Sequence, residues 1–384
     1  MGSVTSRFFR KNGNSLVNEV HSEGLDEPKS FNPDSSGIFG RLARNHLNRG
    51  LHYGDFSFGR DLFLLNSGLA TLLLHECSGL RPNVAKADLD SSRLLEIAVS
   101  KYDPDAEASS SQAAWMLGNR KYFLGLDKML ERIPVLSDNT ALSAFLVAVG
   151  QMGGEGRGLE IVEKISGYLN SKTTVVANAA AIGVLSSYPS CERELGFGGD
   201  SERKSVYHKV NSDSVREKVL EGYDGAKEPA DVDKRMVFLG LIGGVFGEGA
   251  VSKVLSNLSS HDARMRSFAT IMAGYIAKRI EGGDPGKDVL CGEVGSDANL
   301  KLISKEFERI RGSVPPSLNH RDYALARNLI ILCAAAGVGG FDHAVKGILA
   351  RFNRETVYDS SEGVERFPPL IMNAEVRAAL EKRR

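Results

Sequence analysis

Three segments of the chain hold a lysine in the same register: Leu126-Asp127-Lys128-Met129, Val162-Glu163-Lys164-Ile165 and Val251-Ser252-Lys253-Val254. An ammonium on a flexible stem acts as a point charge. Stacked at equivalent positions of repeated helices, Lys128, Lys164 and Lys253 would form a row suited to an acidic peptide or to phosphates. Asp127 and Glu163 stand beside two of the three and weaken that field. A solvated helix face is the plainer reading. Lys346 lies near a fourth such segment, but Ile348 and Leu349 put it one position out of phase.

Patterns for catalysis are incomplete. Gly282-Gly283-Asp284-Pro285-Gly286-Lys287-Asp288 resembles a phosphate-binding loop, yet its glycine spacing is one short. Asp288 also stands where a magnesium-binding Ser or Thr belongs, so a turn between helices is expected. No glycine-rich segment follows a strand as GxGxxG, and no GxSxG elbow is present. His261-Asp262 is an isolated pair in which Asp262 suits a helix N-cap. His320, Asp322 and His343 would need to converge across two helices to hold a metal. Asp103/Asp105 and Asp231/Asp233 lie in loops near prolines, where capping is the simpler role. Cys77 and Cys333 occupy apolar helical contexts, where a thiol behaves as a small hydrophobe. The expected complement is therefore no catalytic residue, no cofactor and no metal.

Bulk properties narrow the class further. The chain has 384 residues with 48 basic and 48 acidic side chains, so no global field recruits nucleic acid or an acidic membrane. Its length exceeds what one compact core needs, which predicts two domains or one elongated array. Four widely spaced cysteines, Cys77, Cys191, Cys291 and Cys333, form no CxxC pair. They read as reduced thiols of a cytoplasmic protein. The longest apolar runs, 62–74 and 329–338, fall short of the roughly 20 residues a membrane span requires, and no secretory signal is read at the start. Met1-Gly2-Ser3-Val4-Thr5-Ser6 does fit an N-myristoylation pattern followed by Arg7, Arg10 and Lys11. That pattern is short and common, and no peripheral membrane attachment is expected.

The elements that must position the lysines are helices. Ala141, Leu142, Phe145, Leu146 and Val149 line one face at helical spacing, as do Phe268, Ile271, Met272, Tyr275 and Ile276, and Leu325, Ala326, Leu329, Ile330 and Cys333. No β-alternation with paired turn signals is read, so the fold class is all-α. Self-similarity sharpens this. The segment 145–156 aligns without gaps on 238–249 at a constant offset (247 − 154 = 93), with six of twelve positions identical. Each copy is a helix ending in glycines, which suits a left-handed cap, and an amphipathic helix follows. Looser copies occupy 112–133, 173–188, 263–280 and 322–352. Helix–turn–helix units that recur in this way predict an α-solenoid.

Met265-Arg266-Ser267-Phe268-Ala269-Thr270-Ile271-Met272-Ala273-Gly274 resembles the first helix of HEAT repeats, where V-R-x-x-A-x-x-A-L-G is typical. The glycine-punctuated units at 145–156 and 238–249 are similar to the proteasome/cyclosome variant. The resemblance covers 112–352 in patches and implies stacked helical pairs that clasp a partner on a concave face. It also implies a catalytic alternative: some HEAT-repeat hydroxylases ring a di-iron centre with several His-Glu pairs, whereas this chain has one at His75-Glu76.

The expected organisation is an N-terminal arm over 1–60, a helical array over 61–189, a charged linker or insertion over 190–232, and a second array over 233–384. Within the arm, 41–60 interleaves Arg41, Arg44 and Arg49 with His46, His52, Tyr53, Phe56 and Phe58. Such a segment could grip single-stranded nucleic acid, or Phe56 and Phe58 could anchor the arm to the array. The leading function is a non-catalytic protein-interaction scaffold with an acidic protein or peptide as partner. The alternatives are a nucleic-acid-binding helical-repeat protein and a HEAT-like enzyme or ligand-binding protein.

Overall fold

The computed structural model describes residues 90–100, 104–153, 156–188, 200–227, 231–312, 320–353, 356–360, 363–367 and 369–382. The arm over 1–60, residues 41–60, His75-Glu76, Cys77 and Cys191 lie outside them. Among the described residues the fold is helical, with sixteen α-helices and one short hairpin.

The helices alternate between long and short. The long ones are α2 (Pro104–Asn119), α4 (Asn139–Met152), α6 (Thr174–Ser187), α9 (Val232–Val245), α11 (Ala263–Glu281) and α14 (His320–Ala335). Between them come α3 (Leu126–Arg132), α5 (Gly158–Ile165), α10 (Ala250–Ser256) and α15 (Asp342–Arg351). Two gaps hold a pair of helices: α7 (Asp200–Val210) with α8 (Asp213–Asp224), and α12 (Lys287–Val294) with α13 (Asp297–Gly312). Helices α1 (Ser91–Val99) and α16 (Ala374–Lys382) stand at the two ends.

Local chemistry starts these helices. The Asp138 carboxylate accepts the Ala141 N–H at 2.7 Å, opening α4. At α11 the Asp262 carboxylate accepts the N–H groups of Arg264 and Met265 at 2.8 and 3.0 Å. Each bond satisfies an amide that the first turn leaves unpaired. Asp262 is thus the N-cap that its place before the apolar run suggested.

Each long helix packs on the next: α2 on α4, α4 on α6, α6 on α9, α9 on α11, α11 on α14 and α14 on α16. The intervening helices form contacts of their own, α5 with α7, α10 with α13 and α13 with α15, while also bracing the long ones. Arg264 of α11 pairs with Asp233 near the start of α9, and Arg279 of α11 reaches Gly243 near its end. Those two helices therefore run parallel.

Close approach between α4 and α6 depends on glycine. A β-carbon on Gly150 would lie 2.5 Å from the Gly183 Cα, and one on Gly183 would collide with the Leu146 carbonyl. Only hydrogen at both positions lets the two backbones touch. Helix α4 is buried from Ser143 to Met152, α6 from Val176 to Leu185 and α9 from Met236 to Val245. Helices apolar all round must be covered on every side, and no described helix is long and apolar enough to cross a membrane. One cluster of buried apolar side chains runs from Leu94 to Ala379.

Two features add to the sequence expectations. The segment 190–232, expected as a charged linker or insertion, carries α7 and α8. Arg203 turns inward, the other described charged residues of the two helices are exposed or half-buried, and Val206, Val210, Val215, Val219 and Tyr223 are buried. The chain also forms an antiparallel hairpin, β1 (Thr356–Ser360) with β2 (Gly363–Phe367), pairing Thr356 with Phe367 and Ser360 with Gly363. Its strands are five residues long and carry charged side chains in both, too short and polar to display a clear alternation.

Candidate binding surface

The lysines sit on short helices, Lys128 on α3, Lys164 on α5 and Lys253 on α10. Their helices bury the flanking apolar residues: Leu126 and Met129, Val162 and Ile165, Val251 and Val254. That spacing turns Lys128 and Lys164 outward, and both are exposed. Neither has an acidic partner among the described residues.

The neighbouring carboxylates are engaged elsewhere. Asp127 pairs with Arg157 at 2.6 Å, and Arg157 also holds Glu160 at 2.6 Å. Glu163 pairs with Lys209 at 3.2 Å. Lys253 differs from the other two. Its ammonium lies 2.6 Å from Asp224 and 4.9 Å from the Tyr223 ring centroid, both on α8. Arg235 stacks on the same ring at 4.8 Å. Helix α8 thus occupies Lys253, and the three lysines are not equivalent.

The remaining sequence candidates resolve into structural roles. Asp322 pairs with Arg309 at 2.9 Å, and among the described residues no group of three His, Cys, Asp or Glu is placed to hold a metal ion. Asp233 pairs with Arg264, and Asp231 accepts the Lys227 N–H at 3.2 Å. Cys291 and Cys333 form no disulfide, and burial pushes the Cys291 thiol up, away from the reactive thiolate.

The segment 282–288 joins α11 to α12, and its Asp284 anchors a buried polar cluster that sequence reasoning missed. Asp284 is 3% exposed and Arg279 is fully buried. The guanidinium makes a two-pronged pair with the carboxylate at 3.0 Å on both arms. It also donates to the carbonyls of Gly243 at 2.9 Å, Val245 at 3.0 Å and Phe246 at 2.8 Å. Asp284 further accepts the Tyr188 hydroxyl at 2.9 Å, the Gly286 N–H at 2.8 Å and Arg203 at 3.3 Å. Burial alone would raise the Asp284 carboxyl, but the charge and hydrogen bonds of Arg279 outweigh it and hold the group below its usual value. Burial likewise opposes the Arg279 charge, and Asp284 overrides it. Tyr188 is pushed up by burial and by the adjacent Asp284 charge. The Arg279 guanidinium and the Asp284 carboxylate spend their hydrogen bonds inside the fold, so the pair locks the corner. The signal that could have found it is the arginine of Lys278-Arg279, which falls on the apolar stripe continued by Ile276 and Ile280.

No protein-family model matches the chain, and no curated protein matches its sequence significantly. Function therefore rests on the geometry.

Proposed function

We propose that the chain is a HEAT-like α-solenoid that acts as a non-catalytic scaffold. It holds an acidic protein segment on the face formed by its short helices, centred on Lys128 and Lys164. The repeat reading is supported by the parallel run of α9 and α11, and by left-handed glycines at equivalent places in the two similar copies. Gly156 has φ 86° and Gly249 has φ 80°, at the same offset (249 − 156 = 93) as the sequence alignment. Each stands one or two residues before a short helix.

One observation carries the function: Lys128 and Lys164 point outward with no acidic partner among the described residues, while the nearby carboxylates Asp127 and Glu163 are paired with Arg157 and Lys209. The two ammonium groups remain available to carboxylates, and such charges steer an acidic segment toward the surface. The test is affinity purification of the tagged full-length protein from its native cells. Lysates are nuclease-treated and washed at low and high salt. An acidic protein retained in stoichiometric amount after nuclease supports the scaffold. Material lost entirely to nuclease overturns it in favour of nucleic-acid binding, whose phosphate contacts weaken steeply with salt.

A further inference from the structure

We propose that residues 62–74 of this chain dock on the face of α4 and α6 that points away from the short helices, covering Val147 and Ile182. This inference does not depend on the scaffold reading, since it concerns the side of the array away from Lys128 and Lys164.

Two rows of side chains mark the face. Ser143, Val147 and Gln151 on α4 follow one another at i, i+4 and i+8, as do Asn178, Ile182 and Ser186 on α6, so each row runs along one side of its helix. Both rows read polar, branched aliphatic, polar. The described neighbours of α4 take its other sides. Gly118 of α2 adjoins Ala148 and the edge of the row at Gln151, Gly183 of α6 adjoins Leu146 and Gly150, and Ile161 of α5 adjoins Gly153. Val147 stands roughly 100° round the helix from Leu146 and from Ala148, and roughly 120° from Gly153. On α6, Gly183 faces α4 and Leu185 faces Gly244 of α9, and Ile182 falls between them.

Val147 and Ile182 are nonetheless fully buried, and Ser143, Gln151 and Asn178 nearly so. A face covered in a single chain is covered by that chain. The rows also hold polar atoms with no hydrogen-bond partner: Ser143 Oγ, both amide atoms of Gln151, Asn178 Oδ1 and Ser186 Oγ. Buried polar groups are ordinarily paired, so the occupant that fits must offer donors and acceptors as well as apolar surface. The equivalent row on α9 (143 + 93 = 236) is Met236, Gly240 and Gly244. There Phe268 and Leu185 crowd the glycines and close the layer. The face therefore spans α4 and α6, about 20 Å at the usual spacing of packed helices.

Composition and reach select the occupant. Of the two longest apolar runs, 329–338 belongs to α14 and the turn that follows it, which leaves 62–74. That run has eight Leu or Phe side chains together with Asn66, Ser67 and Thr71, so it brings both kinds of surface. Thirteen residues cover about 20 Å at a helical rise and more if extended. The fifteen residues 75–89 reach up to about 50 Å before the chain enters α1, which packs on α2. With this face filled from within, an outside partner is left the short-helix face.

The test places a photoreactive benzoylphenylalanine at position 69 of the full-length protein and maps the cross-links by mass spectrometry. The expected products join position 69 to α4 or α6 within one chain. Cross-links confined to α1 or α2, products that join two copies, or no product at all would each overturn the proposal. Hydrogen exchange supplies a second reading. Leu69→Asp/Leu72→Asp should speed exchange in α4 and α6 about tenfold or more while α14 keeps its protection. Unchanged exchange in α4 and α6 would also overturn it. If that variant unfolds throughout, the cross-links decide alone.

Discussion

The two similar copies reach the same turn and secure it by opposite means. Gly156 and Gly249 take the same left-handed conformation, and nothing lies within 4 Å of a side chain built on either. Six residues earlier (156 − 150 = 6) the copies diverge at an equivalent pair, Gly150 and Gly243 (243 − 150 = 93). Gly150 is pressed against the Gly183 backbone, whereas a β-carbon on Gly243 would meet the Met272 Cε at 2.7 Å. After α4, the described cross-link into the corner is the Gly158 N–H donated to Glu202 at 2.8 Å. After α9, Arg279 bonds three carbonyls, Asn211 accepts the Gly247 N–H at 3.0 Å, and Glu293 accepts the N–H groups of Gly249 and Val251. A shared motif sets the backbone path. Residues 30 to 50 positions away in sequence decide what holds it, as the Glu202, Asn211, Arg279 and Glu293 separations show.

The largest expected difference between the corners comes from the buried charge. Asp284→Ala leaves Arg279 uncompensated and should cost about 3–5 kcal/mol in urea denaturation. Glu202→Ala at the first corner removes one charge-assisted bond and should cost about 1–3 kcal/mol. Equal losses would erase the contrast. Gly150→Ala forces two helix backbones apart and should cost about 1–3 kcal/mol. Gly243→Ala, which displaces the flexible end of Met272 and presses on a Val254 methyl at 3.3 Å, should cost less than Gly150→Ala because alanine also favours helix by about 0.5–1 kcal/mol. At the shared position the copies should agree: Gly156→Ala and Gly249→Ala should each cost about 1–2 kcal/mol, the penalty for a side chain in the left-handed region.

The smallest effect sharpens the picture with pH. The Asp284 carboxyl is held below its unfolded value, so its contribution is present above about pH 4 and fades as pH falls through the lowered folded value. The stability gap between wild type and Asp284→Ala should therefore narrow in acid. Tyr188 is shifted the other way, up from 10.0. Its contribution is full below about pH 10 and is lost as pH rises further. Tyr188→Phe removes one hydrogen bond, costs about 1 kcal/mol at neutral pH, and should flatten the alkaline decline seen in wild type.

Helical periodicity and the glycine repeat were legible because both are local. Phe145, Leu146 and Val149 announce a buried stripe without any knowledge of the neighbour that covers it. The buried cluster was not legible, since Tyr188, Arg203 and the Arg279–Asp284 pair come from three separate segments and meet only when the helices pack. The same physics separated the lysines. Lys128, Lys164 and Lys253 share a sequence register, but Asp224 and Tyr223, on a helix expected as a charged linker, capture only the third.

The most direct test of the scaffold account compares partner capture by the wild-type protein with capture by Lys128→Glu/Lys164→Glu, after nuclease treatment. Both substitutions lie on exposed positions and should leave the melting curve unchanged. The account predicts that an acidic protein recovered with the wild type is lost from the double variant and regained in part when both sites carry arginine. Undiminished capture by the double variant would contradict it.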